Sequence, residues 1–156
     1  MANQSAGVLL YRRRGADVEV LLAHPGGPFW ARKDQGAWSI PKGEFDDSEE
    51  PLAAARREFQ EETGFALDGA FLALAPRRQK SGKIIHAFAL ERDLDPSAAR
   101  SNFFTMEWPR GSGQTVEFPE VDRVAWFPLH EARRRIQPGQ RAFLDELSDR
   151  LGLRGR

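Results

Sequence analysis

The chain has 156 residues, 40% of them hydrophobic, no cysteine, and 23 lysines and arginines that balance 23 aspartates and glutamates. This length fits one domain over residues 1–156, and the absence of cysteine excludes disulfides and thiolate metal sites. A net charge of zero argues against nucleic acid or an anionic membrane as a partner. Because the sequence shows neither a secretory signal nor an apolar run of about 20 residues, the expected location is the cytoplasm.

Two apolar runs near the N-terminus predict a pair of strands. The segments AGVLLYR (6–12) and DVEVLLAH (17–24) are separated by four residues, a spacing that indicates a hairpin. A loop rich in glycine and proline follows over residues 24–36. The segment AWSI (37–40) predicts a short strand that ends before Pro41.

The acidic segment GEFDDSEEPLAAARREFQEETGF, residues 43–65, contains eight carboxylates and two arginines and predicts the central helix. Ser48 is the predicted N-cap, and Pro51 suits the first turn, where its missing N–H costs little. Gly64 suits the position just after a helix, where the left-handed conformation is common. These signals predict a helix from Glu49 to Thr63.

The rest of the chain alternates strand candidates with loops and closes on two helices. The predicted strands lie in GAFLALAPRR (69–78), KIIHAFAL (83–90), FFTMEWP (103–109) and RVAWF (123–127). The predicted helices lie around residues 130–136 and 140–151, the second with Phe143, Leu144, Leu147 and Leu151 at helical spacing. Strands combined with one central and two terminal helices indicate a mixed α/β or α+β domain.

The central helix carries an unbalanced charge. Glu58, Glu61 and Glu62 fall within an arc of roughly 100° that borders the apolar face. Like charges at these spacings cost roughly 0.2–0.5 kcal/mol per pair, and two of the three glutamates lie at the negative end of the helix dipole. A solvated acidic face is the alternative, but one arginine, Arg57, cannot neutralise three carboxylates.

A hard divalent cation would supply the missing charge. Mg²⁺ and similar ions prefer oxygen ligands and act beside substrate phosphates. Zinc is disfavoured because cysteine is absent and the three histidines, His24, His86 and His130, are scattered. The residues therefore indicate a Mg²⁺ or Mn²⁺ carboxylate site for phosphate chemistry.

The spacing of the acidic segment resembles the Nudix box at every defining position. The matching positions are Gly43, Glu49 and the run REFQEETGF over residues 57–65. The resemblance implies an α/β fold, an α/β/α sandwich with a central mixed sheet. It also implies hydrolysis, with Mg²⁺ or Mn²⁺, of a nucleoside diphosphate linked to another group.

The same resemblance assigns roles within the box. It implies a cation held by Glu58 and Glu62, by Glu61 directly or through water, and by the carbonyl of Gly43. Arg57 would orient the glutamates, with Glu49 as its candidate partner.

Three glutamates are candidates for the general base. Family members use either a box glutamate, here Glu58, or a glutamate from a loop after the sheet, here Glu117 or Glu120. Glu120 precedes Trp126 by six residues, the spacing expected in relatives with that loop. A solvated loop acid is the alternative interpretation of Glu120.

Five further residues are candidates for substrate binding. Lys42, just before the box, could contact phosphate, and Trp30, in a Gly/Pro loop, could stack on a nucleobase. Arg78, Lys83 and His86 follow the box and could reach a phosphate chain. The alternatives are a surface lysine for Lys42 and a structural histidine for His86.

The expected partner is a small-molecule nucleoside diphosphate derivative, and neither nucleic acid nor a membrane is expected to bind. The protein is expected to be a monomer or a homodimer. The sequence WSIPKGEF is similar to dinucleoside polyphosphate hydrolases, so dinucleoside polyphosphates or nucleoside triphosphates are the favoured substrates. Two alternatives remain. One is a nucleotide-sensing module without turnover, and the other is a purely structural acidic helix.

Overall fold

The computed structural model describes residues 3–153. The strands are β1 (Gln4–Arg14), β2 (Asp17–Pro25), β3 (Lys42–Phe45), β4 (Leu72–Ala73), β5 (Arg77–Arg78), β6 (Ile84–Glu91), β7 (Phe103–Glu107), β8 (Thr115–Pro119) and β9 (Val121–Pro128). The α-helices are α1 (Pro51–Thr63), α2 (Leu129–Arg135) and α3 (Arg141–Arg150), and residues 96–98 and 138–140 form short 3₁₀ turns. None of the helices within residues 3–153 is long and apolar enough to cross a membrane.

The central sheet is mixed, as expected. Its order is β4–β6–β1–β2–β9, with β3 also paired to β1 and β5 to β6. β1 runs parallel to β6 and antiparallel to β2 and β3. The predicted β1–β2 hairpin is confirmed, with Tyr11 opposite Val20, while β7 and β8 form a separate two-stranded ribbon.

Helices cover both faces of this sheet because β1 alternates its buried side chains. Ala6, Val8 and Leu10 belong to the core cluster that includes Phe59 of α1. Leu9 belongs to the opposite cluster, which contains the apolar residues of α2 and α3. Burial of each large apolar side chain is worth about 1.5–3 kcal/mol, so the sheet holds α1 firmly and fixes its acidic edge.

The start of α1 differs from the prediction. The helix begins at Pro51 after Glu50, and no side chain caps it, so the assignment of Ser48 as N-cap was wrong. The backbone N–H of Ser48 instead donates to Asp46 Oδ1 at 2.9 Å, in an Asx turn that precedes the helix. The predicted end is confirmed, because Gly64 has φ 82° and its N–H donates to the Gln60 carbonyl at 2.7 Å.

The predicted strand at 37–40 was also wrong. Ser39 pairs with Ala23 of β2, whereas Trp38 pairs with Ile136 after α2, so the segment makes only isolated bridges to two different elements. A ladder forms instead at β3, after Pro41, where Lys42–Phe45 pairs with Gln4–Gly7. Pro41 has no N–H to donate, and its carbonyl accepts from Val8 at 3.3 Å before the ladder begins.

Candidate active site

A cleft of about 560 Å³ lies where β3, the C-terminal half of α1 and the start of β9 meet. Such a volume is within the usual range for small-molecule sites. The cleft brings together seven of the side chains or backbones predicted for the site: Lys42, Gly43, Glu58, Glu61, Glu62, Lys83 and Glu120. The acidic and basic groups that were far apart in sequence therefore share one cavity.

Glu58 lies against the backbone of Gly43. Its side chain is only 12% exposed, and a Cβ built on Gly43 would fall inside the Glu58 carboxylate. Glycine is required at position 43 because the Glu58 carboxylate approaches its backbone closely, and not because the backbone needs the conformational freedom of glycine. Burial is the main cause that raises the pKa of Glu58, although the hydrogen bond from Arg57 opposes it.

Arg57 connects three carboxylates around the box. It holds Glu49 through two nitrogens, Nε and Nη2, each at 2.8 Å. Its Nη1 donates to Glu58 Oε2 at 2.6 Å and to Glu61 Oε2 at 3.0 Å. The hydrogen bonds to Glu49 are the main reason that the pKa of Arg57 is raised, so the guanidinium stays charged and orients these carboxylates.

Glu62 lines the cleft beside the start of β3. Its Oε1 accepts from the backbone N–H of Lys42 at 3.3 Å. Burial raises the pKa of Glu62 to about 8, against the opposing charge of Lys42, and the nearby carboxylates of Glu58 and Glu120 raise it further. Burial also lowers the pKa of Lys42. Burial therefore disfavours the charged forms of both Glu62 and Lys42.

The donor set fits a hard divalent cation, but the side chains do not converge as a ready-made cage. Within residues 3–153 no three His, Cys, Asp or Glu side chains are grouped closely enough to hold a metal ion. Glu58 and Glu61 instead share one donor, Arg57 Nη1, and Glu62 accepts from the Lys42 N–H.

A series of backbone hydrogen bonds holds Glu120 at the cleft. The N–H of Asn102 donates to the Glu61 carbonyl at 2.8 Å, and the N–H of Glu120 donates to the Asn102 carbonyl at 2.9 Å. The Glu120 carbonyl then accepts from Gly26 at 3.0 Å. Glu117, the other loop candidate, is exposed on β8 and does not line the cleft.

A lysine–glutamate pair forms another part of the cleft wall. Lys83 donates to Glu44, and this hydrogen bond is the main cause that lowers the pKa of Glu44. Five polar cleft residues were not assigned to the site from sequence: Ser5, Ser39, Glu44, Asn102 and Gln137. The position of Glu44 beside Gly43 could have indicated it, whereas no local pattern marks the other four.

Comparison with known proteins decides the family. The family model described as NUDIX domain matches residues 1–147. The chain belongs to the Nudix family. An RNA pyrophosphohydrolase of Brucella anthropi is 30% identical over 125 residues, which cover 70% of this chain and 67% of that protein.

Solved Nudix structures share the fold of this chain. An Ap4A hydrolase of C. elegans, solved as a binary complex, is 19% identical with a TM-score of 0.67, and the match covers 95% of this chain and 98% of that one. The NUDIX domain of Shewanella oneidensis NrtR, complexed with ADP ribose, is 16% identical with a TM-score of 0.64 over 95% of this chain and 87% of that one.

Three predicted substrate-binding residues lie outside the cleft of this Nudix domain. Trp30 packs near Phe29 with the Lys33 ammonium 5.6 Å from its ring centroid. Arg78 donates to the Gly82 carbonyl at 3.1 Å. His86 Nε2 contacts Gln4 Oε1 at 2.7 Å on the sheet face that α1 covers, and burial lowers its pKa. The structure does not bring these side chains to the box glutamates.

Proposed function

We propose that this Nudix protein is a divalent-metal-dependent pyrophosphohydrolase that cleaves a small-molecule nucleoside diphosphate derivative in the α1 cleft. Family membership and the named relatives indicate a pyrophosphohydrolase. The observation that carries the proposal is the cavity in which Glu58, Glu61 and Glu62 meet Lys42 and Lys83. We propose further that residues 1–156 act as one domain and that the protein works in the cytoplasm.

Glu58, Glu61, Glu62 and the carbonyl of Gly43 would hold Mg²⁺ or Mn²⁺. When bound, the cation neutralises phosphoryl oxygens and makes a bound water easier to deprotonate. Arg57 orients the box glutamates through the hydrogen bonds described above, and the neighbouring acid Glu49 fixes the guanidinium. Lower mobility of the carboxylates reduces the reorganisation required when substrate binds.

Glu120 is the general base in this proposal. It lines the cleft and is held to the end of α1 by Asn102, so its carboxylate can accept the proton of the water that attacks phosphorus. Lys42 and Lys83 bind phosphate oxygens on the substrate. Glu58 is less suited to act as base because it is largely buried and bonded to Arg57.

The favoured substrates are dinucleoside polyphosphates or nucleoside triphosphates. The sequence before the box, WSIPKGEF, favours the first class, and the relatives named Ap4A hydrolase and RNA pyrophosphohydrolase act on phosphoanhydrides of nucleotides. All of these substrates carry a polyphosphate chain. The lysines of the cleft can bind its oxygens directly, and the glutamates can bind it through the divalent cation.

A turnover screen tests this proposal. The panel contains diadenosine tetraphosphate, a nucleoside triphosphate, ADP-ribose and a 5′-triphosphorylated RNA oligonucleotide, each with Mg²⁺ and with Mn²⁺. We expect cleavage of diadenosine tetraphosphate by the wild-type protein and none by Glu62→Gln. Preferential cleavage of the RNA would reassign the substrate, and equal activity in Glu62→Gln would exclude the proposed site.

A second candidate is a nucleotide-binding module without turnover. It is favoured by one observation, that the described carboxylates are not grouped closely enough to hold a metal. This candidate predicts tight binding of one panel compound with no product formed at any metal concentration. The intact set of box glutamates favours the enzyme, because a binding module has no need of them.

A further inference from the structure

Ser5 is a buried polar residue that lacks a partner. It is 1% exposed, and within residues 3–153 its Oγ makes no hydrogen bond. Ser5 also lines the cleft that contains the box glutamates. A buried hydroxyl normally has a partner, because leaving it unpaired forfeits the hydrogen bonds that water gave it in the unfolded chain.

A second serine in the same cleft shows the usual arrangement. The hydroxyl of Ser39 donates to the Ile40 carbonyl at 2.8 Å and contacts the side-chain amide of Gln140. Its hydrogen bonds are complete within the protein. The two serines therefore differ in what they offer a ligand, since only Ser5 keeps its full hydrogen-bonding capacity.

The sheet register places Ser5 beside the basic groups of the cleft. Ser5 is opposite Glu44 of β3, and Gly7, two residues along β1, is opposite Lys42. Residues two apart share one face of a strand, so Ser5, Glu44 and Lys42 lie on the same face. Glu44 in turn binds Lys83, and Lys42 lies close against Gly7, because a Cβ built on that glycine would fall 2.6 Å from the Lys42 Cβ.

We propose that the Ser5 hydroxyl donates a hydrogen bond to a non-bridging oxygen of the substrate's polyphosphate chain, at a subsite where Lys42 and Lys83 provide the positive charge. This inference rests on the proposed function, because it assigns part of the same cleft. A phosphate oxygen fits better than a sugar hydroxyl because Lys42 and Lys83 line the same cleft, and the carboxylate of Glu44, opposite Ser5, is already paired with Lys83. A charged acceptor also makes the hydrogen bond stronger.

Ser5→Ala is the test variant, and its fold can be checked directly. Because it removes an unpaired buried hydroxyl, we expect it to melt at the same temperature as the wild type or higher. Ser39→Ala is the matched structural comparison and should melt several degrees lower, since it breaks existing hydrogen bonds. Ser5→Cys keeps the shape of the side chain with a slightly larger atom and a weak donor, and its ligand binding should resemble that of Ser5→Ala.

Binding is measured by calorimetry with inorganic tripolyphosphate and Mg²⁺, and turnover with diadenosine tetraphosphate. A hydrogen bond to a charged group predicts that Ser5→Ala weakens tripolyphosphate binding by about 10–100-fold. KM should rise by a similar factor while kcat changes less than about threefold, as expected for a contact made equally in ground and transition states.

The outcomes separate this inference from the proposed function. Equal tripolyphosphate affinity in wild type and Ser5→Ala, or no binding to the wild type, would overturn the inference and indicate that a water satisfies the hydroxyl. Ser5-dependent tripolyphosphate binding without turnover of any panel compound would uphold the subsite and remove the proposed activity. Wild-type turnover that Ser5→Ala fully retains would uphold the activity and remove the subsite.

Discussion

Replacement of Glu62 by glutamine should stabilise the metal-free protein while it abolishes activity. The pKa of the Glu62 carboxylate is about 8 in the folded protein, against an ordinary value of 4.5. Between these two values the folded protein retains a proton that the unfolded chain releases. The free energy of unfolding therefore falls as pH rises from 4.5 to 8, and the glutamine variant avoids this loss.

The size of the effect follows from the pKa difference. One pKa unit corresponds to about 1.4 kcal/mol, so the roughly 2.5 units between the unfolded pKa and pH 7 give roughly 3 kcal/mol. Glu62 is half-buried and borders an open cleft, so solvent screening reduces the gain to about 1–3 kcal/mol. Near pH 4.5 the unfolded chain also carries this proton about half of the time, so the gain should shrink to roughly 0.4 kcal/mol.

The assay is urea denaturation in EDTA at pH 4.5 and pH 7.5. Glu61→Gln is the control, because its side chain is 42% exposed and pairs with Arg57, so its removal brings no such gain. Saturating Mg²⁺ should reverse the order at pH 7.5, since a ligand at 100 times its Kd stabilises the wild type by about 2.7 kcal/mol. A Glu62→Gln gain that is absent at pH 7.5, or equal at both pH values, would refute the reasoning.

Three further predictions concern the rest of the site. Arg57→Lys loses the two-nitrogen contact to Glu49 and should weaken Mn²⁺ affinity about 10–100-fold in a metal titration. Arg56→Lys is the control and should leave Mn²⁺ affinity unchanged, because Arg56 donates to the Leu67 carbonyl instead. Glu120→Gln should lower kcat by about 10²–10⁴-fold with little change in KM, and a similar loss in Glu117→Gln would contradict the assignment of the base. Gly43→Ala should keep its circular dichroism spectrum but lose most activity, because the added Cβ displaces a box carboxylate; wild-type activity in this variant would show that close approach at this glycine is unnecessary.

The central helix and the first hairpin could be predicted because their signals are local. The apolar positions, Pro51 and Gly64 fix where α1 lies, and helical spacing alone places Glu58, Glu61 and Glu62 on one edge. The N-cap assignment failed because two neighbouring polar residues compete there. Asp46 forms the turn and binds Ser48, so this serine cannot cap the helix.

Features that depend on distant partners could not be predicted. Glu117 and Glu120 belong to the same short segment, and only the contacts of Asn102 and Gly26 bring one of them to the cleft. Likewise, the ladder after Pro41 depends on pairing with residues 4–7, which no local pattern reveals. Similarly, the Ser5 hydroxyl is buried without a hydrogen bond within residues 3–153 only because of how the sheet folds, which no local pattern indicates.

The most direct test of the account is a Mg²⁺ titration of diadenosine tetraphosphate hydrolysis by wild type and Glu62→Gln, started from protein treated with chelator. The account predicts no activity without metal, saturable recovery in the wild type over the same concentrations that raise its melting temperature, and no recovery in the variant. Hydrolysis that persists in the chelated protein, or that Glu62→Gln recovers in parallel with the wild type, would contradict a metal-dependent site on α1.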